Sequence, residues 1–220
     1  MSARLQLVAA EVGLRERKKQ QTRELITDTA HRLFSDRGFD AVTVAEVARA
    51  ANVSEVTVFN YFPTKEDLFF GGMQFFEETL LGAVRTRAPG ESVLDAFRRP
   101  VLAGFPVLAD EKRIRSIVRA RKLISASPAL EAHEREIVGR YTKLLAEQLA
   151  EEAGTSPGDV EVMGVASALM GVQRAVANYV GSSVLAGRRG PKLVSDARSQ
   201  AVRGFERLEK GLATYGRKPR

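Results

Sequence analysis

Cysteine and tryptophan are both absent from this chain of 220 residues. Lack of cysteine excludes a disulfide scaffold, a thiolate zinc site and a cysteine nucleophile. The histidines, His31 and His133, stand far apart in sequence, so no local His-rich metal motif exists. No G-x-S-x-G, no Walker glycine loop and no G-x-G-x-x-G occurs, and GRRGPK at 187–192 lacks the P-loop spacing. The apolar patch near the start is broken by Gln6 and ended by Glu11, too weak a pattern for a signal peptide. The longest apolar stretch, 160–186, contains Glu161, Gln173, Arg174 and Asn178, so it is not expected to span a membrane. A cytoplasmic protein without cofactor, metal or membrane partner is the expectation.

What is present is an ordinary folded composition. Hydrophobic residues make up 44% and charged residues 28%, with 34 Lys or Arg against 27 Asp or Glu. The length fits one large domain or two small ones with a real core. Helical periodicity recurs throughout and period-two alternation is rare, so the fold class is all-α. Leu25, Ile26, Ala30, Leu33 and Phe34 form one stripe, and Gly38 sets a stop for the first helix near Asp36. Thr43 and Glu46 make a T-x-x-E capping box that opens a short helix up to Ala51. Asn52 suits a left-handed turn, Ser54 caps a third helix, and Pro63 ends it. Thr64 caps a helix with Glu66 and Asp67 in its first turn. Longer helices are expected over 66–87, 91–108, 110–125, 128–153, 158–186 and 192–214, with Pro100 and Pro106 able to kink or split the second.

The segment 44–62 has helix-turn-helix spacing: two short helices joined through Asn52-Val53-Ser54. Ala48 is small where the helices approach, Val47, Val53 and Val58 are apolar where they pack, and Glu55, Thr57, Asn60 and Tyr61 remain for the opposite face. Such a unit offers its second helix to the DNA major groove. The run FSDRGFDAVTVAEVARAANVSEVTVFNYFPTKEDLF resembles the DNA-binding domain of TetR-family regulators, from about residue 15 to 69, a quarter of the chain. The Gly38-Phe39 turn, the T-x-x-E box and YFPTKEDL carry the likeness. It implies an N-terminal three-helix domain and a larger helical domain for ligand binding and dimerisation. The organisation expected is a flexible arm over 1–14, a helix-turn-helix domain over 15–65, a ligand-binding and dimerisation domain over 66–216, and a basic tail over 217–220.

By the same resemblance Thr43 matches a phosphate-contacting position. Ser54, Glu55, Val56 and Thr57 match the start of the recognition helix, and Asn60 and Tyr61 match later contacts. Lys65 matches a phosphate-binding lysine at the next helix start. Phe59 departs from the tyrosine usual there and cannot donate a phosphate hydrogen bond. Glu55 either accepts from cytosine N4 or merely caps or pairs locally. Residues 1–65 hold ten Lys or Arg and eight Asp or Glu, so position says more than net charge. Arg15, Arg17, Lys18, Lys19 and Arg23 cluster before and into the first helix, with Arg23 the phosphate candidate inside the resemblance.

The second part is less specific. Stretch 158–186 is apolar on more than one side, which suits burial against both its own domain and a partner subunit. The resemblance implies a homodimer through this helix and 192–214, placing two recognition helices on a pseudo-palindromic double-stranded operator. Phe76, Phe97, Phe105, Tyr141 and Met170 either line a ligand pocket or are plain core. Arg121 falls on an apolar face, where it meets an acidic ligand, pairs with a structural carboxylate or snorkels on its apolar stem. Gln173, Arg174 and Asn178 pose the same choice. The cluster Lys112, Arg113, Arg115, Arg119, Arg121 and Lys122 either attracts a phosphorylated ligand or is a solvated face. The effector so implied is an apolar or amphipathic small molecule, an acidic one included. Glu131, His133, Glu134 and Glu136 form the one local carboxylate–histidine group and read as a solvated face. The expected function is a ligand-released, homodimeric, non-enzymatic DNA-binding repressor. The alternatives are a helical interaction module with vestigial DNA binding, and an all-α enzyme.

Overall fold

The computed structural model describes the backbone over residues 2–71 and 74–211, with side chains over 17–71 and 76–211. Among the described residues every regular element is a helix. The chain divides into two compact units, Met1–Gln74 and Phe75–Arg220. The basic tail over 217–220 and the expected helix end at 214 lie outside the described residues, as do the side chains of Arg15 and Phe75.

The first unit holds α1 (Ser2–Arg37), α2 (Val44–Ala50), α3 (Glu55–Tyr61) and α4 (Lys65–Phe70). α1 starts at Ser2 and so takes in most of the stretch where the sequence suggested an arm. α1 packs on α2 and α4, and α2 on α3. Ile26, Ala30, Phe34, Phe39, Val47, Ala48, Val58, Phe62 and Leu68 are buried together with Phe69 and Phe70. The Phe34, Phe39 and Phe69 rings meet at centroid separations of 5.1 to 6.2 Å in tilted or edge-on geometry. Leu25, expected in the stripe, is instead 51% exposed.

Short helices depend on their ends, because the first amides have no partner inside the helix. Here each of the three has a side-chain cap. Thr43 Oγ1 accepts from Glu46 N at 3.2 Å, while Glu46 Oε2 accepts from Thr43 N at 2.8 Å. Ser54 Oγ accepts from Thr57 N at 3.0 Å, and Thr64 Oγ1 accepts from Asp67 N at 2.9 Å. Caps of this kind contribute about 1 kcal/mol each. Between α2 and α3 the chain reverses at Asn52, whose φ of 54° is left-handed, and Val53 N donates to Ala48 O at 3.0 Å.

The second unit holds α5 (Gln74–Arg85), α6 (Val93–Ala103), a 3-10 turn (Phe105–Ala109), α7 (Glu111–Ala126), α8 (Pro128–Ala153), α9 (Val160–Leu185) and α10 (Gly190–Lys210). The single helix expected over 66–87 is therefore two, α4 and α5. The helix expected over 91–108 ends at Gly104, and Pro106 falls inside the 3-10 turn. Proline has no N–H to continue an α-helix, whereas Pro100 is accommodated within α6. The compact first unit also closes later than position 65, because α4 packs on α1.

α9 is the centre of the second unit, packed on α7, α8 and α10. Among the described residues it alone is long and apolar enough, by length and composition, to cross a membrane. Its Val162, Ala166, Leu169, Met170 and Val176 are instead spent on the protein core. Arg121 reaches across α9 at Gly181, where a Cβ would come within 2.8 Å of Arg121 Nε. At the same C-terminal end of α9, the loop into α10 is tied down by Arg188, which bonds Tyr179 Oη, Ser183 Oγ and Asp196.

The turn at Asn52 makes a direct test of the first unit. Asn52→Val puts a β-branched side chain at positive φ and should cost about 1–2 kcal/mol, while Asn52→Gly should stay near neutral. Urea unfolding followed by circular dichroism reads the difference; equal stability of the two variants would contradict the turn geometry.

Candidate nucleic-acid interface

The interface is built on α3. Val58 is buried and Thr57 and Tyr61 are half-buried, so that side fixes the helix to the unit. Ser54, Glu55, Val56, Phe59 and Asn60 are exposed on the other. Among the described residues the Glu55 carboxylate makes no hydrogen bond or ion pair, so the capping role belongs to Ser54 and not to Glu55. The Ser54 and Thr57 hydroxyls bond each other at 2.8 Å. Thr43 is likewise engaged in its box, its hydroxyl 3.0 Å from Glu46 Oε2. The Thr43 amide and the Arg37 guanidinium, 2.7 Å away, hold the Glu46 carboxyl down at about 2.

Two cations flank α3. The Arg23 guanidinium lies over the Phe62 ring, 4.7 Å from its centroid. Lys65 Nζ stands 4.1 Å from the Phe39 centroid and 5.9 Å from that of Phe34. Partial burial lowers the Lys65 pKa, while Asp40, Glu66 and Glu46 pull it the other way. Lys65 opens α4 as expected, but its charge is braced on aromatic faces. Phe59, set aside in the sequence for want of a hydroxyl, is 47% exposed beside Val56 at 68%. Its spacing of three from Val56 was the signal that put both on one helix face.

In the second unit Phe97, Phe105, Tyr141 and Met170 are buried, Phe76 and Gln173 are half-buried, and Arg174 and Asn178 are exposed. The last two therefore do not join an enclosed set within the protomer. Arg121 donates from Nη1 to Glu134 Oε1 at 2.6 Å, the structural partner that the sequence left open. Lys112, Arg113, Arg115, Arg119 and Lys122 are all exposed, a solvated face. His133 pairs with Glu136 at 3.3 Å, and no group of three or more metal-ligating side chains occurs among the described residues. A cavity of about 310 Å³ opens between Leu108, Ile114, Arg115 and Arg189; Arg115 of the basic cluster lines it, and none of Phe76, Phe97, Phe105, Arg121, Tyr141, Met170, Gln173, Arg174 and Asn178 does.

Glu77 was missed. It is 7% exposed, its Oε2 atom has no hydrogen-bond partner, and burial raises its pKa to about 7 against the pull of Arg140. The same burial, together with the Glu77 charge, raises Tyr141. Position offered a sign, since Leu80 and Val84, both buried, follow at helical spacing from Glu77. A carboxyl with a raised folded-state pKa binds more protons folded than unfolded, so it removes stability as pH rises from about 4.5 to about 7. Glu77→Gln should therefore match the parent near pH 5 and exceed it near pH 8, by up to about 3 kcal/mol. Thermal unfolding across that range reads the gap; a gap independent of pH would contradict the buried-acid account.

A capped turn that buries one side of a seven-residue helix and bares the other is the architecture of a helix-turn-helix DNA-binding protein. Residues 26–71 match the model for bacterial regulatory proteins of the tetR family, and residues 91–186 match that of the MftR C-terminal domain. Arg23 lies just ahead of the first match. MftR of Mycobacterium tuberculosis, assigned as a mycofactocin biosynthesis transcriptional regulator, is 28% identical over 156 residues, covering 71% of this chain and 78% of that protein. The transcriptional regulator TcmR of Streptomyces glaucescens is 31% identical over 137 residues, 62% of this chain and 56% of TcmR. In fold the chain is similar to NalD of Pseudomonas aeruginosa, the secondary repressor of the MexAB-OprM multidrug efflux pump. That likeness has a TM-score of 0.53 at 20% identity, over 86% of this chain and 96% of NalD. The chain belongs to the TetR family of DNA-binding transcriptional regulators.

Proposed function

We propose that the protein is a cytoplasmic homodimeric repressor of a pseudo-palindromic double-stranded operator, released when an apolar or amphipathic small molecule binds its second unit. The exposed face of α3 carries the reading: Glu55, Val56 and Asn60 stand clear of the fold on a helix fixed from behind by Val58. Ser54 and Thr57 shape the start of that helix, and Tyr61 lies at its end. Arg23, Thr43 and Lys65 are assigned to phosphates, where they set register without reading sequence.

Dimerisation is supported by the outward side of α9. Gly164 and Ala175 are exposed there, Ala168 and Gly171 are half-buried, and Val165 and Leu185 are 41% and 43% exposed. Small residues at alternating spacings of four and three let a second copy approach closely. Arg174 and Asn178 stand on this exposed side and are assigned to the subunit interface. Phe76, Phe97, Phe105, Tyr141, Met170 and Gln173 are kept for the effector. Because Arg121 is neutralised by Glu134, an acidic effector would have to break that pair. The effector acts by binding one dimer geometry better than the other, which shifts the population away from the DNA-competent one.

Selection of genomic duplexes by the purified protein, followed by titration at several salt concentrations, tests the reading. An enriched inverted repeat is expected, with affinity falling steeply as salt rises. Lys65→Met should weaken all duplexes alike and reduce the salt slope by about one. An unchanged slope would remove Lys65 from the phosphate contacts, and no enriched repeat would overturn the repressor assignment.

A further inference from the structure

The exposed face of α3 is not uniformly polar. Val56 is 68% exposed and Phe59 47%, and a spacing of three residues puts them side by side. Neither packs in the core, although the same unit buries Phe34, Phe39, Phe62, Phe69 and Phe70. The hydroxyls that open the helix are engaged with each other, Ser54 Oγ to Thr57 Oγ1 at 2.8 Å and Ser54 Oγ to Thr57 N at 3.0 Å. Four outward side chains then remain for base edges: Glu55, Val56, Phe59 and Asn60. Half of that set is apolar.

The major groove is a polar surface with one apolar feature, the C5 methyl of thymine. An apolar pair at the reading face gains nothing from N7, O6, O4 or N4 groups. It would leave those groups desolvated without a partner. Against a methyl it makes ordinary dispersion contact and removes apolar surface from water. Phe59 has no hydroxyl, so it supplies no hydrogen bond to a phosphate and is available for such a contact.

We infer that Val56 and Phe59 read thymine C5 methyl groups in each half-site, and so set the operator's sequence preference at one or two positions. Glu55 and Asn60, on either side of the pair, supply the hydrogen bonds at neighbouring bases. The inference rests on the DNA-binding reading of α3 and adds the base feature recognised.

The test replaces each thymine of the selected operator by deoxyuridine, one at a time. This deletes a methyl and leaves every base-pairing and groove hydrogen bond in place. The intact protein should lose about three- to tenfold in affinity at one or two positions per half-site and nothing elsewhere. Val56→Ala and Phe59→Ala should bind the thymine duplex more weakly and show no further loss at the matching deoxyuridine. Both positions are exposed, so the variants should melt with the parent. Phe59→Tyr restores a hydroxyl while keeping the ring, and it should retain the same sensitive positions. A flat deoxyuridine scan on a tightly bound operator overturns the methyl reading and leaves DNA binding standing. So does a scan whose losses persist in both alanine variants. If no duplex is selected at all, the inference falls together with the assignment it rests on.

Discussion

Packing of α2 against α3 is the constraint from which the DNA-binding unit follows. Val47, Ala48 and Val58 are buried, and Ala48 is small enough for the two short helices to approach. Neither helix is long enough to persist alone in water, since both have only seven residues. Their existence depends on three things at once: caps at Thr43 and Ser54, a left-handed residue at Asn52, and a hydrophobic floor supplied by Ile26, Ala30 and Phe34 of α1. With Val58 buried and α3 packed on α2, helical geometry leaves Glu55, Val56, Phe59 and Asn60 turned outward. The reading face is thus a consequence of the core.

The second unit solves a different problem. It holds a long apolar helix, α9, against its neighbours on one side while the other side stays exposed. Packing on α7, α8 and α10 covers Val162, Leu169 and Val176, and the small residues collect on the uncovered side. One charged side chain, Glu77, is buried in this unit and another, Arg121, is half-buried. Arg121 is neutralised by Glu134 and passes α9 where Gly181 provides space. Glu77 has no such partner at Oε2, and its raised pKa is the cost of that burial.

Local chemistry made the first unit legible in sequence. The capping box, the Ser54 cap, the Asn52 turn and the Pro63 stop all act within four residues, and each was placed where the structure has it. The break between α4 and α5 was not legible, because the periodicity continues on both sides of the glycines at 71 and 72. The Gly104 break was only half visible, through Pro106. In the second unit, burial depends on which helices meet, and a single sequence does not encode that locally. Arg121 is anomalous on its apolar helix face, but its partner is thirteen residues away on the next helix. Glu77 drew no expectation from the sequence, although it stands at helical spacing from Leu80 and Val84. Arg174 and Asn178 belong to the exposed side of α9, a distinction that periodicity on an all-round apolar helix does not make.

Operator recognition requires the bare face of α3 to discriminate among DNA sequences. The most direct measurement is the ratio of affinities for the selected duplex and for a scrambled duplex of equal composition, both at physiological salt. A ratio of about a thousand or more is expected, falling sharply when Glu55 and Asn60 are both replaced by alanine. Equal binding of the two duplexes, or a ratio untouched by those replacements, would contradict it.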